Sequence, residues 1–403
     1  MKKLLFAALA MSALSTQVNA QTRMTLHEEF TGENCGPCAA TNPDFWTLCN
    51  SGTNPSKLIH IAYMAPIPSS GWFYLRSKVV NDARRSYYAV TSAPSGKYDG
   101  GIAAGSGHPA SFTQANIDTR AAVAAPFIMT VSATRDASYD SVDVTVNIAS
   151  VTPVTGSQTL HVAMIQTWNF PTPPGSNGET HFENVVQEMY PSASGTALPT
   201  ISSTHTVTLR GKVPNFVDKG AQPRIVAWIQ DVATKEVHQA GQSAPLPGVP
   251  LDAAATDVTM TSNIICAANG TTTIPHTVTI KNSGTTTLTS ATIYTRMGTT
   301  GAWTSTPWTG SLATGATATV PMTASGTVAG AGYYTVYDSV AAPNGAADQS
   351  NGNNVWGRQF FIENNTPLAL PYTTSFETSE QGKYYMTDAN ADGRRWGVYV
   401  SGT

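Results

Sequence analysis

Two cysteines, Cys35 and Cys38, flank the dipeptide Gly36-Pro37 and give the clearest chemical signal in this sequence. A half-polar β-type run over residues 24–30 precedes them and enters a turn at Thr31-Gly32, so the cysteines fall where a helix is expected to begin. Backbone N–H groups and the positive end of a helix dipole stabilise a thiolate and lower the pKa of the first cysteine. The pattern predicts thiol–disulfide exchange, with Cys35 attacking and Cys38 resolving the mixed disulfide.

The same pair also has a structural interpretation. In an exported protein, a disulfide between Cys35 and Cys38 can be a permanently oxidised local clip. The chain would then be a non-catalytic adhesion or binding protein of the cell surface, with a protein or glycan ligand. Under the first interpretation, the partners are protein thiols and disulfides, and the sequence names no source of electrons. Both interpretations stay open at this point.

The residues around the cysteines resemble thioredoxin. Glu29 and Phe30 match the buried acid, an aspartate in thioredoxin, and the phenylalanine of its preceding strand. Asn34 departs from the pattern, because thioredoxin has a tryptophan there. Residues 87–95 resemble the segment in which a thioredoxin fold places a cis-proline against its disulfide. The resemblance implies that Glu29 handles the resolving proton and that Pro94 follows a cis bond and borders the substrate groove.

A longer string resembles one family more specifically. Residues 28–38, together with 184–186 and 191–195, look like the 28-kDa outer membrane protein family. The resemblance covers roughly residues 23–243. Members of that family are surface or outer-membrane proteins of Gram-negative bacteria with a thioredoxin-like front end. The resemblance implies a location, the outer membrane or cell surface, more than an activity.

The composition predicts an exported protein. Of the 403 residues, 12% are charged and the net charge is −3, without a basic patch, which argues against nucleic acid as a partner. Residues 1–20 are expected to be a secretory signal peptide, with Lys2-Lys3 before an apolar run and small residues at the cleavage site. The apolar run is too short to cross a bilayer and no later one is longer, so we predict no transmembrane segment.

Four cysteines are too few for a disulfide scaffold in a chain of this length. Cys49 lies about three helical turns beyond Cys38 and is predicted to be a buried free thiol on the same helix face. Cys266 is predicted to be a lone core thiol. A bridge between Cys49 and Cys266 is a further alternative without support.

The periodicity of the chain changes at residue 127 and sets the predicted domains. Residues 21–125 follow a β-α-β-α-β-β-α order, with Arg84 and Arg85 exposed on the second helix. Residues 126–243 alternate over five strands and predict a β-sandwich, while the stretch 167–198 is expected to be a surface loop. The predicted fold class is multidomain, with an α/β thioredoxin-like N-terminal domain followed by all-β immunoglobulin-like sandwiches.

The second half of the chain is predicted to be all-β. After a stiff linker over residues 244–256, residues 257–363 resemble the bacterial cell-adhesion-related immunoglobulin-like module, which implies a spacer or adhesive role. Residues 364–403 resemble the start of a jelly-roll adhesin domain, and we expect that domain to be truncated in this sequence. Its Asp388, Asn390 and Asp392 have the spacing of a weak calcium loop, with a polar turn as the alternative. No other cofactor is expected.

Overall fold

The chain is mostly β. The computed structural model describes residues 22–170 and 173–363. Of these residues, 47% lie in strands and 16% in helices, so strands rather than helices build the layers. The α-helices of the described residues are α1 (Gly36–Asn50), α2 (Trp72–Arg76), α3 (Lys78–Tyr87) and α4 (Gln114–Ala121).

One eight-stranded sheet organises residues 22–242. Its strands run in the order β11-β10-β6-β7-β2-β1-β3, and β8 pairs with β6. Strand β1 is parallel to β2 and antiparallel to β3, and β2 meets β7 in parallel at Ala62 and Val185. The bounds are β1 (Thr25–Thr31), β2 (Leu58–Met64), β3 (Ser95–Tyr98), β6 (Gln158–Asn169), β7 (His181–Tyr190), β8 (Thr196–Leu198), β10 (Arg224–Asp231) and β11 (Val237–Gln242).

The predicted fold class is wrong. The three strands of residues 22–125 do not form a separate α/β thioredoxin-like domain, because they share this sheet with five strands from residues 126–242. One apolar cluster joins Phe30 and Tyr63 to Val186 and Trp228 across the expected boundary. The change of periodicity at residue 127 marks the end of the helical region, whereas the sheet continues beyond it.

A second, three-stranded sheet covers one face of the eight-stranded sheet. It contains β4 (Phe127–Arg135), β5 (Ser141–Ser150) and β9 (Thr204–Lys212). Val144 and Val146 of β5 pack with Leu160 and Ile225 of the larger sheet in one core. The five strand positions predicted between residues 126 and 243 are confirmed, but they divide between two sheets.

Residues 167–198 were expected to be a surface loop, and this prediction is wrong for β7. Strand β7 lies inside the eight-stranded sheet, between β6 and β2. Its Phe182 and Val186 are at most 1% exposed. Proline and glycine before the strand favoured a loop, while the apolar side chains that place it in the core come later.

The second predicted helix is in fact two helices, α2 and α3. The predicted exposure of one of its arginines is wrong. Arg84 is buried rather than exposed, and its Nη2 lies 2.6 Å from Oε1 of Glu28 on β1. Tyr88 donates to Oε2 of the same carboxylate at 2.5 Å. The arginine therefore joins α3 to the central sheet.

Residues 253–363 form a β-sandwich, as expected for an immunoglobulin-like module. One sheet has the order β12-β14-β17 and the other β13-β19-β18-β15-β16, and Ile280 and Ile293 meet in their common core. The strands are β12 (Ala253–Thr259), β13 (Ile264–Cys266), β14 (Gly270–Asn282), β15 (Leu288–Met297), β16 (Thr304–Leu312), β17 (Thr317–Val328), β18 (Gly332–Ala341) and β19 (Val355–Glu363). The domain boundaries given above stay predictions.

The predicted linker before this sandwich is partly buried. Leu246 and Val249 of the predicted linker are fully buried, and Lys219 donates from Nζ to the Gln349 carbonyl at 3.1 Å. None of the helices in residues 22–170 and 173–363 is long and apolar enough to cross a membrane.

Candidate functional site

The cysteine pair lies at the start of α1, directly after β1 and its turn. Cys35 and Cys38 form a disulfide with their Cα atoms 5.2 Å apart. Cys35 is the N-cap residue, and its Sγ accepts a hydrogen bond from the backbone N–H of Cys38 at 3.2 Å. When the disulfide is reduced, this N–H and the helix N-terminus favour the thiolate of Cys35 over its thiol.

Both sulfur-bearing side chains are nearly inaccessible to solvent. Cys35 is 2% exposed and Cys38 is 0% exposed, although Gly36 and Pro37 between them are exposed. A partner thiol or disulfide must reach the sulfur of Cys35 for exchange, so the residues that bury this side chain control the access of a partner.

A segment from the stretch before β7, which we call the strap and define as residues 173–180, is bonded to the backbone of Cys35. The strap residue Asn177 donates from Nδ2 to the carbonyls of Gly32 and Cys35, at 3.1 and 3.3 Å. Its backbone N–H donates to the Glu33 carbonyl at 3.1 Å. Ser176 donates from its backbone N–H to Oδ1 of Asn34 at 3.0 Å. The strap is thus bonded to the turn that carries Cys35.

Glu29, the predicted proton carrier, lies on β1 and is fully buried. Its Oε2 is 2.8 Å from Nε2 of His60 and accepts from Nε1 of Trp46 on α1 at 3.3 Å. Its Oε1 has no hydrogen-bond partner among the described residues. The carboxylate therefore has one hydrogen-bonded oxygen and one buried oxygen without a partner among the described residues.

Pro94, the predicted groove residue, is buried and follows a cis bond from Ala93, as the resemblance implied. The next residue, Ser95, pairs with Phe30 near the end of β1 from which the chain turns toward Cys35. Pro94 and the cysteine pair therefore lie at the same end of this strand. A role for Pro94 in binding a partner stays a prediction.

Two further carboxylates lie next to the motif. Burial raises the pKa of Glu33, whose Oε1 accepts from the backbone N–H of Phe73 at 2.8 Å. Burial, with the nearby charges of Glu29 and Glu33, raises the pKa of Glu179 on the strap to about 7. Oε1 of Glu179 accepts from Asn42 of α1 at 2.8 Å, and Oε2 accepts from Asn177 at 2.5 Å. Glu179 thus links the strap to α1 and titrates near neutral pH.

A groove of about 730 Å³ runs between α1 and the strap. It begins at Ala39, immediately after Cys38, and follows one face of the helix to Asn50. The opposite wall comes from residues 177–181 and Glu183. A polypeptide lying in this groove would end beside the cysteine pair.

The remaining cysteines do not complete the site. Cys49 is a buried free thiol, as predicted, and burial together with the Glu29 and Glu183 charges raises its pKa well above the ordinary range. Cys266 is a free thiol too, but it is exposed, so the prediction of a core position is wrong. The two do not form a bridge.

The calcium prediction is not tested. Asp388, Asn390 and Asp392 lie outside the described residues. Within the part of the chain that the structure describes, no group of three or more His, Cys, Asp or Glu side chains could hold a metal ion.

Comparison with solved structures finds neighbours of low similarity. HBP35 of Porphyromonas gingivalis matches at 12% identity and a TM-score of 0.48, covering 74% of this chain and 98% of that one. A domain of the outer membrane lipoprotein Omp28 from the same organism matches at 16% identity and a TM-score of 0.23, covering 31% and 91%. The CARDB domain of the PF1109 protein from Pyrococcus furiosus matches at 19% and 0.20, covering 26% and 87%.

These similarities do not establish a family. No protein-family model matches the sequence, and the search among curated proteins finds no match. At TM-scores below 0.5, the neighbours carry no argument about what this chain does.

Sequence reasoning found the cysteine pair but missed most of its surroundings. His60 was not predicted to belong to the site, and Asn177 and Glu179 fell in the expected surface loop. The apolar residues of 182–190 signal a buried strand and could have limited the loop prediction to the residues before them. The contact between the strap and the cysteine turn joins residues far apart in the sequence, so no local pattern predicts it.

Proposed function

We propose that this protein is an exported protein of the outer membrane or cell surface that exchanges disulfides through Cys35 and Cys38. The observation that carries the proposal is the position of Cys35 at the N-cap of α1, with its sulfur accepting the Cys38 N–H. The charge and apolar pattern of residues 1–20 supports export.

In the proposed reaction, the partner dithiol is oxidised by two electrons and the Cys35–Cys38 disulfide is reduced by the same two electrons. A thiolate of a partner dithiol attacks the Cys35–Cys38 disulfide, forms a mixed disulfide with Cys35 and releases the Cys38 thiolate, which takes up a proton. The second partner thiolate then attacks the partner sulfur of the mixed disulfide. The partner becomes a disulfide and Cys35 and Cys38 become thiols. The reverse sequence reduces a partner disulfide, with Cys38 resolving.

Glu29 is proposed to move the proton of Cys38 in these steps. It is a buried carboxylate with one unbonded oxygen, on the strand that leads to the motif. His60 and Trp46 bind its other oxygen and fix its orientation. Proton transfer by a positioned carboxylate is a standard contribution to such a step.

A second candidate function is favoured by the burial of the cysteines. If Cys35 stays 2% exposed, the disulfide is a structural clip and the protein binds a surface ligand without catalysis. The β-sandwich of residues 253–363 would then be the adhesive or spacer part of the molecule.

Trapping of the mixed disulfide tests the proposal. The reduced Cys38→Ser variant is mixed with a peptide that contains one disulfide, the reaction is quenched with acid and the products are weighed by mass spectrometry. Exchange predicts a stable adduct that contains Cys35, and the Cys35→Ser variant should give much less. Equal adduct levels in both variants, or none in either, would favour the structural clip.

A further inference from the structure

The groove beside the cysteine pair carries fixed charges of one sign. Among the residues that line it, Glu179 and Glu183 are acidic, and none is lysine or arginine. Asn50 donates to Oε2 of Glu183 at 2.6 Å, and Nε2 of His181 lies 3.3 Å from Oε1 of the same residue. A groove with carboxylates and without fixed cations attracts positively charged ligands.

The groove also has an aromatic side chain and a connection to the proposed site. Trp46 lines it, and the indole Nε1 of the same residue donates to Glu29. An indole close to carboxylates is a favourable environment for an arginine or lysine side chain. The length of helix from Ala39 to Asn50 spans about 16 Å at 1.5 Å per residue, which accommodates roughly five extended residues.

Glu179 connects this groove to the strap. Its Oε1 accepts from Nδ2 of Asn42 on α1 at 2.8 Å, and this bond joins the strap to the helix. A cation that binds the Glu179 carboxylate competes with Asn42. Occupation of the groove would therefore weaken the contact that holds the strap against α1.

We propose that the groove between α1 and the strap binds a cationic segment of the partner polypeptide, and that this binding loosens the strap beside Cys35. The inference rests on the proposed function, because it names the class of protein that reaches the disulfide. It also explains how the binding of a partner makes a buried disulfide accessible.

Binding is tested on the oxidised full chain with a probe that cannot exchange disulfides. A fluorescent, cysteine-free heptapeptide of alternating arginine and glycine is titrated and followed by anisotropy, next to the same peptide with glutamate in place of arginine. We expect the arginine peptide to bind and the glutamate peptide to bind at least about tenfold more weakly. Equal binding of the two peptides, or binding of neither, would overturn the inference.

Three variants locate the binding site. Glu179→Gln and Glu183→Gln each remove one charge from the groove, and Asp44→Asn removes one from an exposed position of α1 outside its lining. We expect the arginine peptide to lose about tenfold in affinity with Glu179→Gln, and somewhat less with Glu183→Gln. If Asp44→Asn weakens binding as much as the two groove variants do, the affinity depends on the net charge of the protein and the groove is not the binding site.

The coupling to Cys35 has its own readout. The rate at which a water-soluble phosphine reduces the disulfide is measured with and without saturating arginine peptide. The inference predicts a faster reduction with the peptide in the wild type and no acceleration in Glu179→Gln. An unchanged rate with bound peptide would contradict the loosening of the strap. Peptide binding without adduct formation by Cys38→Ser would instead contradict the exchange function and leave the groove as a binding site.

Discussion

At the scale of single residues, the chemistry depends on how buried polar groups are held. Glu29 is fully buried, bonded through one oxygen to His60 and Trp46, and unbonded at the other within the described residues. Such an arrangement costs desolvation energy, and the proposed role of Glu29 as proton carrier rests on it. The cysteine motif was predictable from a local pattern, and the resemblance to thioredoxin implied the cis bond before Pro94.

Replacement of Glu29 by glutamine tests its part in the exchange. The Glu29→Gln side chain keeps the size and one acceptor oxygen but cannot take the proton of Cys38. We expect resolution of the mixed disulfide by Cys38 to slow by about tenfold or more, measured by acid quenching and mass spectrometry. The exposed variant Asp44→Asn serves as control. Resolution at the wild-type rate would exclude Glu29 as the proton carrier.

Glu179 predicts a pH dependence of stability. Its pKa of about 7 in the folded protein lies above that of an unfolded glutamate, chiefly because of burial. Its contribution to the free energy of unfolding is therefore complete below about pH 4 and is lost as the pH rises to about 7. Denaturant unfolding at several pH values should show a smaller decline over this range in Glu179→Gln than in the wild type. Parallel curves would contradict the raised pKa.

At the scale of elements, β7 decides the architecture. It joins the strands of the helical region to those that follow, and the strap before it reaches the cysteine turn. The strand could have been predicted from its apolar residues, but the length of the preceding proline- and glycine-containing segment favoured a loop. The pairing of β7 with β2 could not be predicted, since it joins residues more than one hundred positions apart.

The core position of β7 predicts a large loss of stability from truncation. Phe182 is 1% exposed, and its ring centroid lies 4.9 Å from that of Phe73 on α2. We expect Phe182→Ala to lower the free energy of unfolding by about 3–5 kcal/mol, because a buried ring leaves a cavity. The control Val232→Ala, at a site 54% exposed, should change it by less than about 0.5 kcal/mol. Similar values for the two variants would place β7 outside the core.

At the scale of the whole molecule, residues 22–242 fold around one shared sheet. The predicted α/β thioredoxin-like fold of the N-terminal region was wrong because a sequence shows where helices stop but not which strands continue a sheet. The β-sandwich of residues 253–363 was predictable, since its strands alternate clearly between buried and exposed residues.

Two fragments test the shared sheet. Residues 22–125 alone would expose Ile61 and Tyr63, which pack with Val186 and Trp228 in the full chain. We expect this fragment to lack cooperative thermal unfolding and to aggregate, whereas residues 22–250 should unfold cooperatively in circular dichroism. A stable, cooperatively folded fragment of residues 22–125 would contradict the shared core.

The most direct test of the exchange proposal is the reduction potential of the Cys35–Cys38 pair. The purified protein is equilibrated with thiol buffers of known potential and its free thiols are trapped and counted, with a Cys35→Ser/Cys38→Ser double variant giving the background from Cys49 and Cys266. The stabilised thiolate of Cys35 predicts a potential between roughly −120 and −270 mV, the range of known exchange proteins. A value below about −300 mV would show a structural disulfide and contradict the exchange function.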